Sequence, residues 1–419
     1  MAKFVIQGGR PLAGEIDVAA NKNAVLPMMA ACVLTEDDCY LNNVPAIADV
    51  ATMAATMREM GAVVEQLPGG RLRINCADLN SHHPPAELVE RLRASIVLMG
   101  PLLARLGRAN MHHPGGDRIG YRSIGTHMHA LEAMGVDFDI DHDFYCGRVG
   151  DTAGDRDIFL DEASVTATEN AMLFAAARPA LTVIRNAAGE PHVENLAGML
   201  NGMGASIEGA GSNVLRIRGI DTLSGTSTTV WPDHVEAGTF AALAAASGSD
   251  VTIRNVIPEH LDIVLMILRR MGADFTLSEG AMHIRPSELR AVKKIQTGIW
   301  PAFPTDLASI FIVLATQASG MTLVHDWMYE SRMFFIDRLV QMGANIVLAD
   351  PHRAVVSGPC RLRGREMPTP DIRAGIALVM AALVAQGTSE IEHIELIDRG
   401  YERIDQRLRQ LGANIERIA

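Results

Sequence analysis

Leu261-Asp262-Ile263-Val264-Leu265-Met266-Ile267-Leu268-Arg269-Arg270-Met271-Gly272-Ala273 is an amphipathic run closed by a glycine. A glycine just past a helix supplies the left-handed cap that lets the chain turn back on itself. The closing tripeptide recurs as Met60-Gly61-Ala62, Met134-Gly135-Val136, Met203-Gly204-Ala205, Met342-Gly343-Ala344 and Leu411-Gly412-Ala413. With the quoted copy, successive glycines stand 74, 69, 68, 71 and 69 residues apart. Each copy follows a helical pattern and precedes an alternating one, such as Ala344-Asn345-Ile346-Val347-Leu348, which reads as a strand. Six occurrences at near-constant spacing mark an internal repeat.

Working outward from the glycines, each repeat contains a second helical stretch, small and apolar almost all round. These stretches begin near Asn23, Arg93, Thr168, Ala237, Asp306 and Ile372. A helix without a polar face has to be surrounded by other elements. Each unit of roughly 70 residues therefore predicts one buried helix, one half-exposed helix and several short strands. Solenoid repeats usually run about 20–50 residues, so units of this size favour closed domains. No Pro/Gly/Ser linker marks a boundary, and the natural division is three units plus three, near Val230.

Composition narrows the function classes. The 419 residues are 48% hydrophobic, 21% charged and 5% aromatic, as expected of a globular protein of two or three domains. A net charge of −12 does not invite nucleic acid or an anionic membrane as partner, so any bound anion must be met by a few placed cations. The start, Met1-Ala2-Lys3-Phe4-Val5-Ile6, lacks a signal-peptide pattern, and no apolar run reaches the roughly 18 residues of a membrane span. Five scattered cysteines without CxxC spacing read as reduced thiols of a cytoplasmic protein. The pairs His82-His83 and His112-His113 read as lying in polar loops without ligand spacing, so neither metal nor cofactor is expected.

Five short segments then carry a resemblance: Asn21-Lys22-Asn23-Ala24, Leu92-Arg93-Ala94-Ser95, Pro114-Gly115-Gly116-Asp117, Phe303-Pro304-Thr305-Asp306 and Asp398-Arg399-Gly400-Tyr401-Glu402-Arg403. In this order, on top of six repeats, the whole chain resembles the enolpyruvyl transferase family, and most closely its members acting on UDP-N-acetylglucosamine. The resemblance implies an α/β fold, a two-domain inside-out α/β barrel with three repeats per domain. It implies an N-terminal domain over 22–229, a C-terminal domain of 1–21 plus 230–419, and an active site in the cleft between them. The small-molecule substrates would be phosphoenolpyruvate and UDP-N-acetylglucosamine, with no nucleic acid and no membrane; the oligomeric state is not legible.

Joining phosphoenolpyruvate to a hydroxyl requires cations for phosphate and carboxylate, an acid for the methylene carbon and a base for the alcohol. Lys22, Arg93, Arg122, Arg332, Arg373 and Arg399 supply the cations, with Lys22, Arg93 and Arg373 at predicted starts of buried helices, where free N–H groups also favour anions. By resemblance Lys22, Arg93, Arg122 and Arg399 hold the phosphate, while Arg332 and Arg373 hold the carboxylate. Lys22 and Arg399 also count with the catalytic groups. Asp306 would be the base, although an Asp at a helix start is also a favoured cap. Asp117, on a glycine-hinged loop, stands where most family members carry Cys and a minority Asp, a position linked to proton delivery and product release.

The resemblance places the UDP-sugar on Asn23, Arg93, His127, Ser164, Val165, Thr166, Asp306 and Met328. Here the chain also departs from its relatives. Ser123-Ile124-Gly125-Thr126 replaces Pro-Val/Ile-Asp-Leu, so a uracil-binding carboxylate is missing; Glu162 replaces a Lys, Thr166 a Gly, and His234 a frequent Arg. Two other readings follow: an enolpyruvyl transferase with another acceptor (a different nucleotide or shikimate 3-phosphate), or an inactive binding relative.

Overall fold

The computed structural model describes every residue except Met1, Asp117, Arg118, Tyr121, His142, Asp143 and Ala419. Six mostly buried helices carry the interior: α1 (Lys22–Ala31), α2 (Met99–Leu106), α3 (Val165–Ala176), α4 (His234–Ala246), α5 (Ala308–Ala315) and α6 (Ile372–Val384). Their starts are set by side chains that accept free N–H groups: Asn21 for α1, Ser164 for α3, Asp233 for α4 and Asp371 for α6. Two starts differ from the sequence expectation. Arg93–Leu98 and Thr305–Leu307 are 3-10 segments leading into α2 and α5, so Arg93 does not open an α-helix. Asp306 is not a cap either, because Pro304 holds the cap position of its segment and the Asp306 carboxylate is turned to two arginines.

Each glycine-closed run is a helix, for example Ala48–Glu59, Pro191–Gly202 and Asp262–Arg270. The glycines that follow, such as Gly61 at φ +102° and Gly343 at φ +99°, adopt the backbone that side chains resist.

The chain divides into two compact units. One comprises the residues up to Ala19 and from Pro232 onward, with Ile119 and Gly120; the other runs over Ala20–Gly116 and Arg122–Trp231. The second unit holds α1–α3 and three sheets. These are Ser227–Thr229 with Cys39–Asn42, Arg71–Asn75 and Val63–Leu67; Arg108–His112 with Phe144–Val149 and Val136–Ile140; and Ser206–Glu208 with Val214–Arg218, Leu181–Arg185 and Arg156–Phe159. Trp231 stays with this unit because its N–H donates to Asn195 and its carbonyl accepts from the Asn21 N–H.

The first unit holds α4–α6 and three further sheets. Both N-terminal strands belong to it. Lys3–Gln7 lies antiparallel between Thr388–Glu392 and Asn414–Ile418, while Ala13–Asp17 runs parallel to Asp250–Arg254. In each unit the strands alternate inward apolar and outward polar residues, and the inward face covers the helices. The result is a mixed α/β fold with helices inside and sheets outside each unit.

Candidate active site

In the first unit the site is built around one carboxylate. Asp306 Oδ1 accepts from Arg332 Nη2 at 3.0 Å, and Asp306 Oδ2 accepts from Arg373 Nε at 3.0 Å and Nη2 at 2.9 Å. Arg332 and Arg373 are only 3% and 5% exposed. Burial is the largest single influence and works against their charge, but it is outweighed by Asp306 together with Asp371 and Asp326 at Arg332 and with Tyr401 and Asp233 at Arg373. Both guanidiniums end above the ordinary arginine value.

Their orientations are fixed from behind. Arg373 Nη1 donates to the Tyr401 hydroxyl at 3.0 Å, and its backbone N–H donates to the capping Asp371. Asp326, fully buried, accepts from Thr297, Thr305 and the Met328 N–H, and lies 3.9 Å from Arg332 Nε. Asp326 therefore ties the Asp306 segment, the Met328 segment and Arg332 together. Sequence reading missed it; the only signal is an Asp directly after a strand that ends in His325. Arg399 ends the 3-10 segment Ile394–Arg399, two residues before Tyr401.

In the second unit the Lys22 ammonium pairs with buried Asp49 at 2.8 Å, at the start of α1 beside Asn23. Arg93 spans the base of the glycine-hinged loop, donating to the Pro114 carbonyl at 3.3 Å and the Arg122 carbonyl at 2.6 Å. The loop leaves no room for side chains there. A Cβ on Gly115 would stand 1.6 Å from the Glu90 carbonyl oxygen, and one on Gly116, at φ +103°, 2.7 Å from Arg93 Cβ. Asp117 itself lies outside the described residues.

Of the expected acceptor residues, Ser164, Val165 and Thr166 lie at the start of α3 with His127 beside them, whereas Asn23 is on α1 and Asp306 and Met328 are in the other unit. Ser164 caps the helix, Val165 opens it, and the Thr166 hydroxyl lies 3.0 Å from His127 Nε2. His127 is 2% exposed, and burial, then Arg93, pulls its pKa down to about 3, so it is neutral at physiological pH. Thr126 donates to Asp161 Oδ1 at 2.7 Å. A carboxylate from another segment thus stands beside the position where the Ser123–Thr126 run lacks one. Spacing along the chain could not reveal that pairing. His112 lies on a strand, its ring packed on Phe144, and not in a loop as its polar neighbours suggested. Among the described residues no group of three or more His, Cys, Asp or Glu is arranged to hold a metal.

With this geometry in place, known proteins can be set beside it. Residues 6–408 match the family model for EPSP synthase (3-phosphoshikimate 1-carboxyvinyltransferase). The chain is 45% identical to a UDP-N-acetylglucosamine 1-carboxyvinyltransferase of Bradyrhizobium diazoefficiens, covering 99% of this chain and 98% of that one. It is 42% identical to the protein of that name from Treponema denticola, over 99% of each. In structure it is similar to the enolpyruvyl transferase NikO from Streptomyces tendae, with a TM-score of 0.90 at 22% identity over 99% of this chain and 98% of that one. EPSP synthase from Acinetobacter baumannii follows, with a TM-score of 0.76 at 19% identity over all of both chains. The two structural likenesses establish the α/β fold; the sequence matches establish kinship.

Proposed function

We propose, from the premise that this chain belongs to the EPSP synthase (3-phosphoshikimate 1-carboxyvinyltransferase) family of enolpyruvyl transferases, that it acts on a nucleotide sugar. It transfers the enolpyruvyl group of phosphoenolpyruvate to the 3'-hydroxyl of UDP-N-acetylglucosamine and releases phosphate, the first committed step of peptidoglycan synthesis. The names of the relatives at 41–45% identity over full length support the acceptor. Both substrates are charged and membrane-impermeant, which supports a cytoplasmic setting.

The observation that carries the chemistry is Asp306 held by Arg332 and Arg373. These guanidiniums form a receptor for a planar carboxylate, and Asp306 pairs with both of them. When the carboxylate of phosphoenolpyruvate takes that place, Asp306 is freed to accept the proton of the sugar hydroxyl. The sugar oxygen bonds to the enol carbon while an acid protonates the methylene carbon to a methyl group. The tetrahedral intermediate then loses a methyl proton and phosphate, restoring the double bond. Lys22, Arg93, Arg122 and Arg399 hold the phosphate as it leaves, and Asp117 handles the carbon-bound proton. Asn23, His127, Ser164, Val165, Thr166 and Met328, with Arg93 and Asp306, hold the nucleotide sugar. The two units act as the two domains of this enzyme, each contributing residues to one reaction.

The test is phosphate release from phosphoenolpyruvate with UDP-N-acetylglucosamine, UMP and shikimate 3-phosphate offered in parallel. Release with the nucleotide sugar alone is expected; release only with another acceptor, or none at all, overturns the reading. Asp306→Asn should lower kcat about 10²- to 10⁴-fold, the usual share of a general base, in a chain whose circular dichroism shows that it is folded. An unchanged kcat would remove Asp306 from the mechanism.

A further inference from the structure

An internal repeat lets one position be compared with its own copies. After each buried helix comes a strand: Cys39–Asn42, Arg108–His112, Leu181–Arg185, Asp250–Arg254, Gly320–His325 and Thr388–Glu392. The residues directly after these strands are Asn43, His113, Asn186, Asn255, Asp326 and His393. The three asparagines share one structural task. Each takes the left-handed backbone at φ +58°, and each Nδ2 donates to the carbonyl of another segment, Val230, Leu160 or Val18, at 2.9 to 3.0 Å. Asp326 is the one acid of the six, and its side chain does something else.

Asp326 is fully buried, and its carboxylate is held from several directions. Oδ1 accepts from the Thr297 hydroxyl at 2.9 Å and the Met328 N–H at 3.0 Å, and Oδ2 accepts from the Thr305 hydroxyl at 2.5 Å. Its own N–H donates to the His352 carbonyl at 2.8 Å. A buried carboxylate calls for a cation, and the one within 4 Å among the described residues is Arg332, with Nε 3.9 Å from Oδ2. That is too long for a hydrogen bond, and Arg332 Nε, although buried, has no hydrogen-bond partner among the described residues. Arg332 therefore faces two acids of different kinds. Asp306 bonds Nη2 at 3.0 Å from a side chain that is 26% exposed, so a competing carboxylate can reach and replace it. Asp326 stands beside Nε, sealed from solvent and anchored at both oxygens.

We infer that Asp326 is a positioning residue for the reaction, the fixed counter-charge that keeps the Arg332 guanidinium aimed when the carboxylate of phosphoenolpyruvate displaces Asp306. The inference rests on the function proposed above. During that exchange a buried guanidinium loses its hydrogen-bonded acid, and a buried charge without a partner is costly. Asp326 stays in place throughout, and Nε has an acceptor to close on as Nη2 turns to the substrate. Through Thr305 the same carboxylate also anchors the residue before Asp306, so the carboxylate receptor and the base are set from one point. The repeat supplies the contrast: where the position has only a structural task, it carries an asparagine.

The experiment uses the full-length chain. Asp326→Asn keeps the shape and an acceptor for the Met328 N–H, and removes the charge. It should raise KM for phosphoenolpyruvate about tenfold to a hundredfold, the range of a hydrogen bond to a charged group, and leave KM for UDP-N-acetylglucosamine within about twofold of wild type. A double-mutant cycle locates the effect. In an Arg332→Lys background, Asp326→Asn should change KM for phosphoenolpyruvate by less than about threefold, because an ammonium lacks the Nε–H that Asp326 faces. Thr297→Val removes one donor to Asp326 with little change of shape and should raise the same KM about twofold to threefold. This variant carries the test if circular dichroism shows Asp326→Asn to be unfolded. An unchanged KM for phosphoenolpyruvate in the folded variant, an equal rise for both substrates, or the same factor with and without Arg332→Lys would each overturn the inference while leaving the function standing. A wild-type chain that releases no phosphate from phosphoenolpyruvate with any of the three acceptors would overturn both.

Discussion

Glu169, one position before Asn170, shows what burial does to a residue that finds no cation. It is 1% exposed, and its Oε1 has no hydrogen-bond partner. Burial first, and Glu190 second, raise its carboxyl well above the usual value of 4.5. The unfolded chain releases this proton near that value and the folded chain only at higher pH. The group's contribution is therefore fully present below about pH 4.5 and is lost as pH rises toward the folded value. Glu169→Gln removes the titration, so its stability relative to wild type should grow by up to about 1.4 kcal/mol per pH unit across that window. Denaturant titrations between pH 5 and 8 measure this, and parallel curves would show that Glu169 does not titrate on unfolding. Position 117 makes the opposite case, a residue legible from sequence alone. A carboxylate is a far poorer nucleophile than a thiolate, so the epoxide fosfomycin should leave the intact mass and activity unchanged. Asp117→Cys should gain one adduct. Time-dependent inactivation of the wild type would contradict this. Lys22 and Arg373 were equally legible as helix-start cations in an acidic chain, and both lie in the first turn of a buried helix. Asp326 and Asp161 were not, since their roles depend on partners 21 to 35 positions away.

At the scale of elements, the glycine-closed helices and buried helices were readable because each has its own local signature. The 3-10 segments Arg93–Leu98 and Thr305–Leu307 were not, because apolar spacing does not distinguish the tighter turn from an α-helix. Strand pairing was also hidden. Lys3–Gln7 reads locally as a short strand, yet it is central to its sheet, with Phe4 and Ile6 fully buried. Removing residues 1–8 would leave two strands unpaired along their facing edges and empty two core positions. Each buried Phe or Ile lost typically costs about 2–5 kcal/mol, so the truncated chain should aggregate or melt at least about 10 °C lower. This loss should occur although no expected site residue lies in the deleted stretch. A truncated protein with a normal melt would show that the strand is dispensable and that the sheet closes without it.

For the whole molecule, the six recurring glycines mark six glycine-closed helices, while the path of the chain between the two units had no local signature. The buried apolar residues form two separate clusters that share no residue. One contains Phe4–Val18 and Val235–Ile415, the other Ala20–Val230. Two cores with their own hydrogen-bonded sheets have no physical requirement to melt together. Calorimetry should therefore give a calorimetric enthalpy about twice the van't Hoff value, where a single cooperative transition would give a ratio of one. The expected nucleotide contacts Arg93, His127 and Ser164–Thr166 all belong to the second cluster's unit, whereas Asp306, Arg332 and Arg373 belong to the other. UMP carries the nucleotide without the sugar, so it should stabilise only one of the two transitions, by about 2.7 kcal/mol at a hundredfold excess over its Kd. A ratio of one, with UMP shifting the whole transition, would mean that the two cores unfold as one cooperative body and that nucleotide binding is felt throughout it.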